Sequence, residues 1–204
     1  MKLYEMIAND FVYADPMKLV GFPDNHDTPR LFSLLDEKVN LMKTSLIFYA
    51  TTRGIPQFYY GTEILAKSPK VRDDGLTRSD MPGGWAGDKV NAFTGSGLSK
   101  DQADMQAMVK TLFNWRKTSE ALTKGKLLHF VPDAGTYVYF RYTDKQKVMV
   151  VLNKNAQDSK LDLSRFGEIL GGASKGKNVI SGMPVDLSAP LNLRAMESLL
   201  IEIQ

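Results

Sequence analysis

The chain has 204 residues, 26 lysines and arginines against 23 acidic residues, a formal charge of +3 and 43% hydrophobic residues. That length holds one large domain or two small ones, and the composition is that of an ordinary globular protein. Interspersed charges give nucleic-acid binding no support, the lack of cysteine excludes disulfides and thiolate sites, and no apolar run reaches the roughly 18 residues of a membrane span.

Met1 to Tyr4 lacks the basic-then-apolar layout of a signal peptide, and the sequence leaves the compartment open. Residues 3–9 suggest a helical turn, and Asn9, Asp10, Asp15 and Pro16 suggest a connection, so the chain reads as though it began in mid-fold. Leu19 to Phe22 is a short apolar strand. It ends in Asp24, Asn25, His26 and Asp27, with Arg30 just beyond. Such a cluster is costly to bury without partners, so it belongs at the exposed mouth of a strand. At the C-terminal end of a barrel strand, that position reads as catalytic or ligand-binding.

A helix is expected across about 32–52, where Leu35, Val39, Met42, Leu46 and Tyr49 recur at steps of four and three. Gly54 ends it, and Ile55 to Tyr60 follows as a second short strand. Strand, helix, strand in this order is a βαβ unit with a parallel sheet. Residues 65–98 form a long irregular stretch, which in a compact domain is functional or disordered. Ser99 with Gln102 at N3 resembles a capping box. The helix behind it carries Met105, Met108, Val109, Leu112, Trp115 and Leu122 on one side and stops at Lys124 and Gly125.

After about 125 the period changes to that of strands. Residues 127–131, 136–143, 147–153 and 198–203 are expected as strands, with shorter pieces at 161–163, 178–180 and 184–187. Residues 143–147 form a hairpin turn between two of them. A run of strands after a run of helices argues for a separate all-β domain of sandwich type, the more self-sufficient part of the chain.

At this point several motifs resemble one family. Phe22 to Asp27 is similar to the end of the seventh barrel strand in the α-amylase family of glycoside hydrolases, and Gly54 to Glu63 resembles that family's eighth strand. Arg78 to Trp85, with Gly87, Asp88 and Asn91 to Phe93, resembles the neopullulanase and cyclomaltodextrinase branch. The helix with Trp115, Arg116 and Lys117 resembles the last barrel helix, and the strands after it resemble the C-terminal β-sandwich. The resemblance implies an α/β plus all-β fold: the C-terminal part of a (β/α)8 TIM barrel over residues 1–122, then an antiparallel β-sandwich over 123–204. It also implies a retaining hydrolase acting on α-glucans such as starch-derived oligosaccharides, pullulan or cyclic dextrins.

The family's nucleophilic Asp and acid/base Glu have no counterpart before residue 19, so the chain is expected to be an inactive C-terminal piece of a longer enzyme. The resemblance makes Asp27 the third carboxylate, which grips sugar hydroxyls at the cleavage point, and His26 a donor to the same sugar. Asp74 and Arg78, or Asp73 and Arg78, would contact the next sugar unit, and Tyr59, Tyr60 or Trp85 would stack on sugar faces. Asn25 is expected to brace the turn; Asp24 and Arg30 are further candidates. Calcium belongs to the intact enzyme, if anywhere, because no ligand set is legible here.

Each reading has a plainer alternative. Asp24 to Asp27 can be a turn whose side chains cap a following helix, and Asp74 with Arg78 a solvated ion pair worth little. Tyr59 or Tyr60 can serve packing, and Glu63 a supporting role. His129 is most simply a sheet-face histidine, and two histidines without close spacing give zinc nothing to stand on. The whole protein can also be a non-catalytic sugar-binding or scaffold module, since fold does not imply function. Barrel strands without neighbours leave open edges, so self-association is expected.

Overall fold

The computed structural model describes residues 2–204; Met1, the first residue of the expected 1–122 unit, lies outside them. Helix α1 (Lys2–Ala8) leads through two 3-10 turns to strand β1 (Val20–Gly21). Asp15 sets the second turn by accepting a hydrogen bond from the Met17 amide at 3.0 Å. Helices α2 (Leu31–Leu34) and α3 (Val39–Thr51) follow, and then strand β2 (Ile55–Pro56). Strands β1 and β2 run parallel with Val20 opposite Ile55 and Gly21 opposite Pro56, the expected βαβ unit. At Gly54 the backbone is left-handed, with φ of 93°, and a Cβ would lie 2.4 Å from the Leu19 carbonyl oxygen. Only glycine lets α3 turn so tightly into β2.

The first expected helix is broken. Asp36 and Glu37 both take left-handed backbone, φ 55° and 57°, and their amides close on the carbonyls of Ser33 and Phe32. Lys70 and Lys67 pair with these two carboxylates and hold the break from outside. The apolar spacing runs across it unchanged, which is why the pattern hides it. The second expected strand is also shorter. It stops at Pro56, and Tyr59 and Tyr60 turn away before left-handed Gly61, where a 3-10 turn (Thr62–Ile64) begins.

Residues 65–98 contain one short helix, α4 (Asp74–Thr77). Helix α5 (Lys100–Thr118) starts at the expected capping box, with both the Ser99 and Gln102 bonds made. Met105 and Leu112 are completely buried. Where one helix to Leu122 is expected, Ser119 is extended and α6 (Glu120–Thr123) starts afresh. A distant side chain causes this: the Gln146 Oε1 accepts from both the Ser119 hydroxyl, at 3.0 Å, and the Ala121 amide, at 2.9 Å.

The rest is sheet. Strands β3 (Lys126–His129), β4 (Thr136–Tyr142) and β5 (Lys147–Asn153) precede β6 (Ser159–Leu161), helix α7 (Gly167–Leu170), β7 (Lys175–Asn178), β8 (Pro184–Asp186), β9 (Leu191–Leu193) and β10 (Leu199–Ile203). Six strands form one antiparallel sheet in the order β3-β4-β5-β10-β7-β8, and β6 pairs with β9 in a second. Strand β9 was not among the expected strands; a three-residue piece with two buried leucines carries too short an alternation to stand out. The hairpin turn at 143–146 is as expected.

The central strands β4, β5 and β10 of the large sheet are buried on both faces. Val138, Phe140, Met149, Val151 and Ile201 pack on Leu163, Phe166, Leu170, Leu191 and Leu193, which gives the sandwich its second layer. Tyr137, Tyr139, Val148, Val150, Leu152 and Leu200 share a core with Met42, Leu46, Phe48, Met105 and Leu112 of the helices. At one side of that core stands Arg141, completely buried. Its guanidinium donates to the carbonyls of Thr51 (3.1 Å) and Thr52 (2.7 Å), at the end of α3. It also donates to those of Leu122 and Gly125, both at 3.0 Å, at the end of α6. Helix C-termini carry partial negative charge and unsatisfied carbonyls, so one cation serves both.

Removing Arg141 would orphan several buried carbonyls, each costing about 1–3 kcal/mol. We expect Arg141→Ala to lose about 3–5 kcal/mol, against about 1 kcal/mol for Gln146→Ala. Urea titrations should show wild type losing helix and sheet in one transition; two separated transitions would contradict the shared core.

Candidate functional site

Strand β1 delivers the polar cluster, and the cluster divides by burial. Asp24 is buried. Its Oδ2 accepts from the Leu31 amide at 2.8 Å and its Oδ1 from the Thr62 hydroxyl at 3.1 Å, so Asp24 caps the start of α2 and ties it to the turn after β2. Burial raises the Asp24 carboxyl above its ordinary value of 3.8, against the lowering effect of those two bonds and of Arg30. Asn25 braces the turn as expected: its Oδ1 accepts from the Asp27 amide at 2.8 Å, and its own amide donates to the Thr28 hydroxyl at 3.0 Å. The brace turns His26 and Asp27 outward, with side chains 61% and 49% exposed and His26 Nε2 3.2 Å from Asp27 Oδ2.

A second wall comes from residues 72–78. Asp73 caps α4 by accepting from the Leu76 amide, which leaves Asp74 as the partner of Arg78, at 3.1 Å. Arg78 also donates to Asp27 Oδ1 at 3.1 Å and to the His26 carbonyl at 3.0 Å. Arg72 bridges the two carboxylates, donating from Nε to Asp74 Oδ1 at 2.7 Å and from Nη2 to Asp27 Oδ1 at 3.2 Å. The four residues singled out from sequence, His26, Asp27, Asp74 and Arg78, thus stand together although Asp27 and Asp74 lie far apart in the chain. The hydrogen bond from Arg72, followed by the charges of Arg72 and Arg78, holds the Asp74 carboxyl below its ordinary range. Arg72 itself was missed. Its only signal was an arginine two positions before Asp74 in an irregular stretch.

Tyr59 closes the floor between His26, whose ring centroid lies 6.5 Å away, and the Arg30 guanidinium, 4.1 Å from the Tyr59 centroid. Tyr60 packs on Tyr59 and donates its hydroxyl to the Ser79 carbonyl at 2.9 Å. Trp85 is exposed, its indole N–H donating to Asp80 at 2.9 Å. Arg30 is buried and supports the rim from below. Glu63 lies on the 3-10 turn outside the cluster. His129 stacks on Tyr4 at 4.6 Å and bonds the Tyr137 hydroxyl at 2.9 Å, remote from the rim. Among the described residues no three of His, Cys, Asp and Glu converge to hold a metal ion, and no helix is long and apolar enough to cross a membrane.

Residues 127–202 match the family model described as the cyclo-malto-dextrinase C-terminal domain. A cyclomaltodextrin glucanotransferase of Niallia circulans is 27% identical over 179 residues, and a cyclomaltodextrinase of a Bacillus species is 26% identical over 161 residues. The chain is thus similar to cyclomaltodextrin glucanotransferases and cyclomaltodextrinases, and its C-terminal region matches the cyclo-malto-dextrinase C-terminal domain. It spans a small part of these relatives: the alignments cover 79% of the chain but 21% of the glucanotransferase, and 72% of the chain but 26% of the cyclomaltodextrinase. Among solved structures, AmyP in complex with maltotriose superposes with a TM-score of 0.80 at 19% identity, over 99% of this chain and 44% of that one. An α-amylase of Geobacillus thermoleovorans complexed with acarbose gives 0.72 at 20% identity, over 99% and 42%. Likenesses at such low identity concern the fold alone.

The two buried or paired aspartates should titrate in opposite directions. Asp74, held down by Arg72, contributes stability that is present above pH 3.8 and is lost as pH falls through its lower folded value. Asp24, raised by burial, contributes less as pH climbs from 3.8 through its folded value. Carboxyl carbon NMR should place the Asp74 midpoint below 3.8 and that of Asp24 above it; matching midpoints would refute the environments described. Asp24→Ala should cost about 1–3 kcal/mol by urea unfolding, and Asp24→Asn, which can still accept from Leu31, clearly less.

Proposed function

We propose that the chain is the rim-and-sandwich part of a retaining glycoside hydrolase acting on α-glucans of starch-derived, pullulan or cyclic-dextrin type. The observation that carries this reading is the exposed group of His26, Asp27, Asp74 and Arg78 at the C-terminal end of β1, in a chain whose relatives are named cyclomaltodextrinase and maltogenic alpha-amylase. On this reading β1 and β2 are the last two strands of a (β/α)8 barrel, residues 1–122 belong to that barrel and residues 123–204 are the β-sandwich domain.

The chemistry follows from the residue types. Retaining hydrolysis passes through an oxocarbenium-like transition state, and contacts to ring hydroxyls strengthen there. Asp27, oriented by Arg72 and Arg78, would grip two hydroxyls of the sugar at the cleavage point and favour the positive charge growing on its ring. It would transfer no proton. His26 would donate to the same sugar, while Asp74 and Arg78 would bind the next one through carboxylate and guanidinium edges. The nucleophile and the proton donor must come from carboxylates outside this constellation, so the chain alone would be inactive.

In the intact enzyme, Asp27→Asn should lower kcat on maltooligosaccharides by about 10²-fold or more, with Arg78→Ala acting mainly on KM. The 204-residue chain should turn over none; activity that Asp27→Ala abolishes would refute the need for outside carboxylates. We also propose that the chain by itself associates through β1 and β2, where Val20 and Ile55 lie side by side, each 52% exposed. Light scattering that shows a monomer at every concentration would dispose of that.

A further inference from the structure

An aspartate side chain can turn on the main-chain nitrogen that follows it, and glycine hinders this least because it has no Cβ to crowd that nitrogen. The sequence contains a single Asp–Gly step, Asp74–Gly75, and no Asn–Gly step. It falls on the wall of the candidate site. Asp74 opens α4, where the first amides have no carbonyl within the helix to bond. Asp73 takes two of them: its Oδ1 accepts from the Leu76 amide at 3.0 Å and its carbonyl from the Thr77 amide at 2.9 Å. The amide of Gly75, an exposed residue, has no hydrogen-bond partner among the described residues. A free nitrogen thus stands within five-membered-ring reach of the Asp74 carboxyl.

Two arginines oppose the attack. Arg72 donates to both carboxylate oxygens, from Nε to Oδ1 at 2.7 Å and from Nη2 to Oδ2 at 3.3 Å, and Arg78 Nη2 lies 3.1 Å from Oδ2. The Arg72 bond, then the charges of Arg72, Arg78 and His26, keep the group ionised against desolvation. Asp27 reaches it only through the shared arginines. An ionised carboxylate resists ring closure because oxide, a far worse leaving group than hydroxide or water, would have to depart. These pairs are exposed, so salt loosens them.

We propose that Asp74–Gly75 is a site of spontaneous modification, where aspartate converts to isoaspartate through a cyclic imide at a rate restrained by Arg72 and Arg78. The Gly75 nitrogen bonds to Asp74 Cγ, a carboxyl C–O bond breaks, and the amide proton leaves with the hydroxyl as water. Water then opens the ring: attack at Cγ restores aspartate, and attack at the main-chain carbon gives isoaspartate. Nothing is oxidised or reduced, and composition is unchanged. In the product the main chain runs through Cβ and Cγ, one carbon longer, and the free carboxylate sits directly on Cα. The Asp74 carbonyl that accepts from the Arg78 amide at 3.1 Å ceases to be a peptide carbonyl, so α4 opens at its start. Its far end stays fixed by buried Arg30, whose Nε donates to the Thr77 carbonyl at 2.9 Å. Arg72 and Arg78 keep Asp27 alone, and half of the wall is lost. The proposal stands independently of the sugar-cleaving reading, since it needs no substrate.

The test is ageing of the 204-residue chain in heavy-oxygen water, followed by tryptic digestion in ordinary water. Chromatography and mass spectrometry then read the peptide of residues 73–78. Isoaspartate should accumulate there with one heavy oxygen per event, faster in mildly acidic than in mildly alkaline buffer, and faster in concentrated salt. Gly75→Ala should fold normally, because its Cβ would meet only Asp73 Oδ1, at 3.5 Å, and it should lose most of the conversion. Arg72→Ala should convert several-fold faster, with Arg72→Lys, which keeps the charge, close to wild type. No isoaspartate in the wild-type peptide overturns the proposal, and so does conversion that Gly75→Ala leaves unchanged. Equal rates in wild type and Arg72→Ala overturn the restraint assigned to the arginines.

Discussion

Much of this architecture turns on one buried cation that serves two helix ends. Desolvating a guanidinium is costly, and burial pushes that of Arg141 down to about 10. Its position offsets that cost, because the carbonyls ending α3 and α6 have no partners within their own helices. Tyr139, two residues earlier on the same face of β4, bonds the Thr51 hydroxyl, and Arg116 adds a bond to the Ala50 carbonyl at 2.9 Å. The end of α3 is therefore fixed from the sheet and from α5 at once. Strand β2 and the Tyr59–Tyr60 turn begin only a few residues later. The sheet, which carries none of the proposed site, thus sets where part of the rim stands.

The rim inverts this arrangement. Below it, Asp24 and Arg30 spend their polarity on structure and are hidden. Above it, His26, Asp27, Arg72, Asp74 and Arg78 satisfy one another at the surface. Exposed ion pairs are individually weak, which would suit the proposed site, where these groups exchange one another for ligand hydroxyls. Rigidity comes from the Asn25 brace and the Asp73 cap, so the charged groups need not supply it.

The legible parts of the sequence were those whose causes are local. The hairpin of β4 and β5 follows from alternation and a short turn, and the start of α5 follows from Ser99 and Gln102 alone. The two broken helices were illegible because their causes lie far along the chain: Gln146 reaches back to residue 119, and Lys67 and Lys70 reach to the Asp36–Glu37 break. The same division holds at the site. His26, Asp27, Asp74 and Arg78 could be named from motif resemblance, whereas Arg72 acquires meaning only when the fold sets it between two aspartates. Asp24 and Arg30 looked like rim residues in sequence and proved to be its foundation.

The segment that carries Arg72, Asp74 and Arg78 is fastened unequally at its two ends. Near Thr77 it is gripped by Arg30, out of reach of solvent ions. Near Lys67 and Lys70 it is held to the left-handed pair Asp36–Glu37 by exposed charges, which mobile ions screen over about 8 Å at physiological strength. Brine would therefore slacken the approach to the site and leave its anchorage untouched, so that ionic strength acts on this loop as a one-ended release.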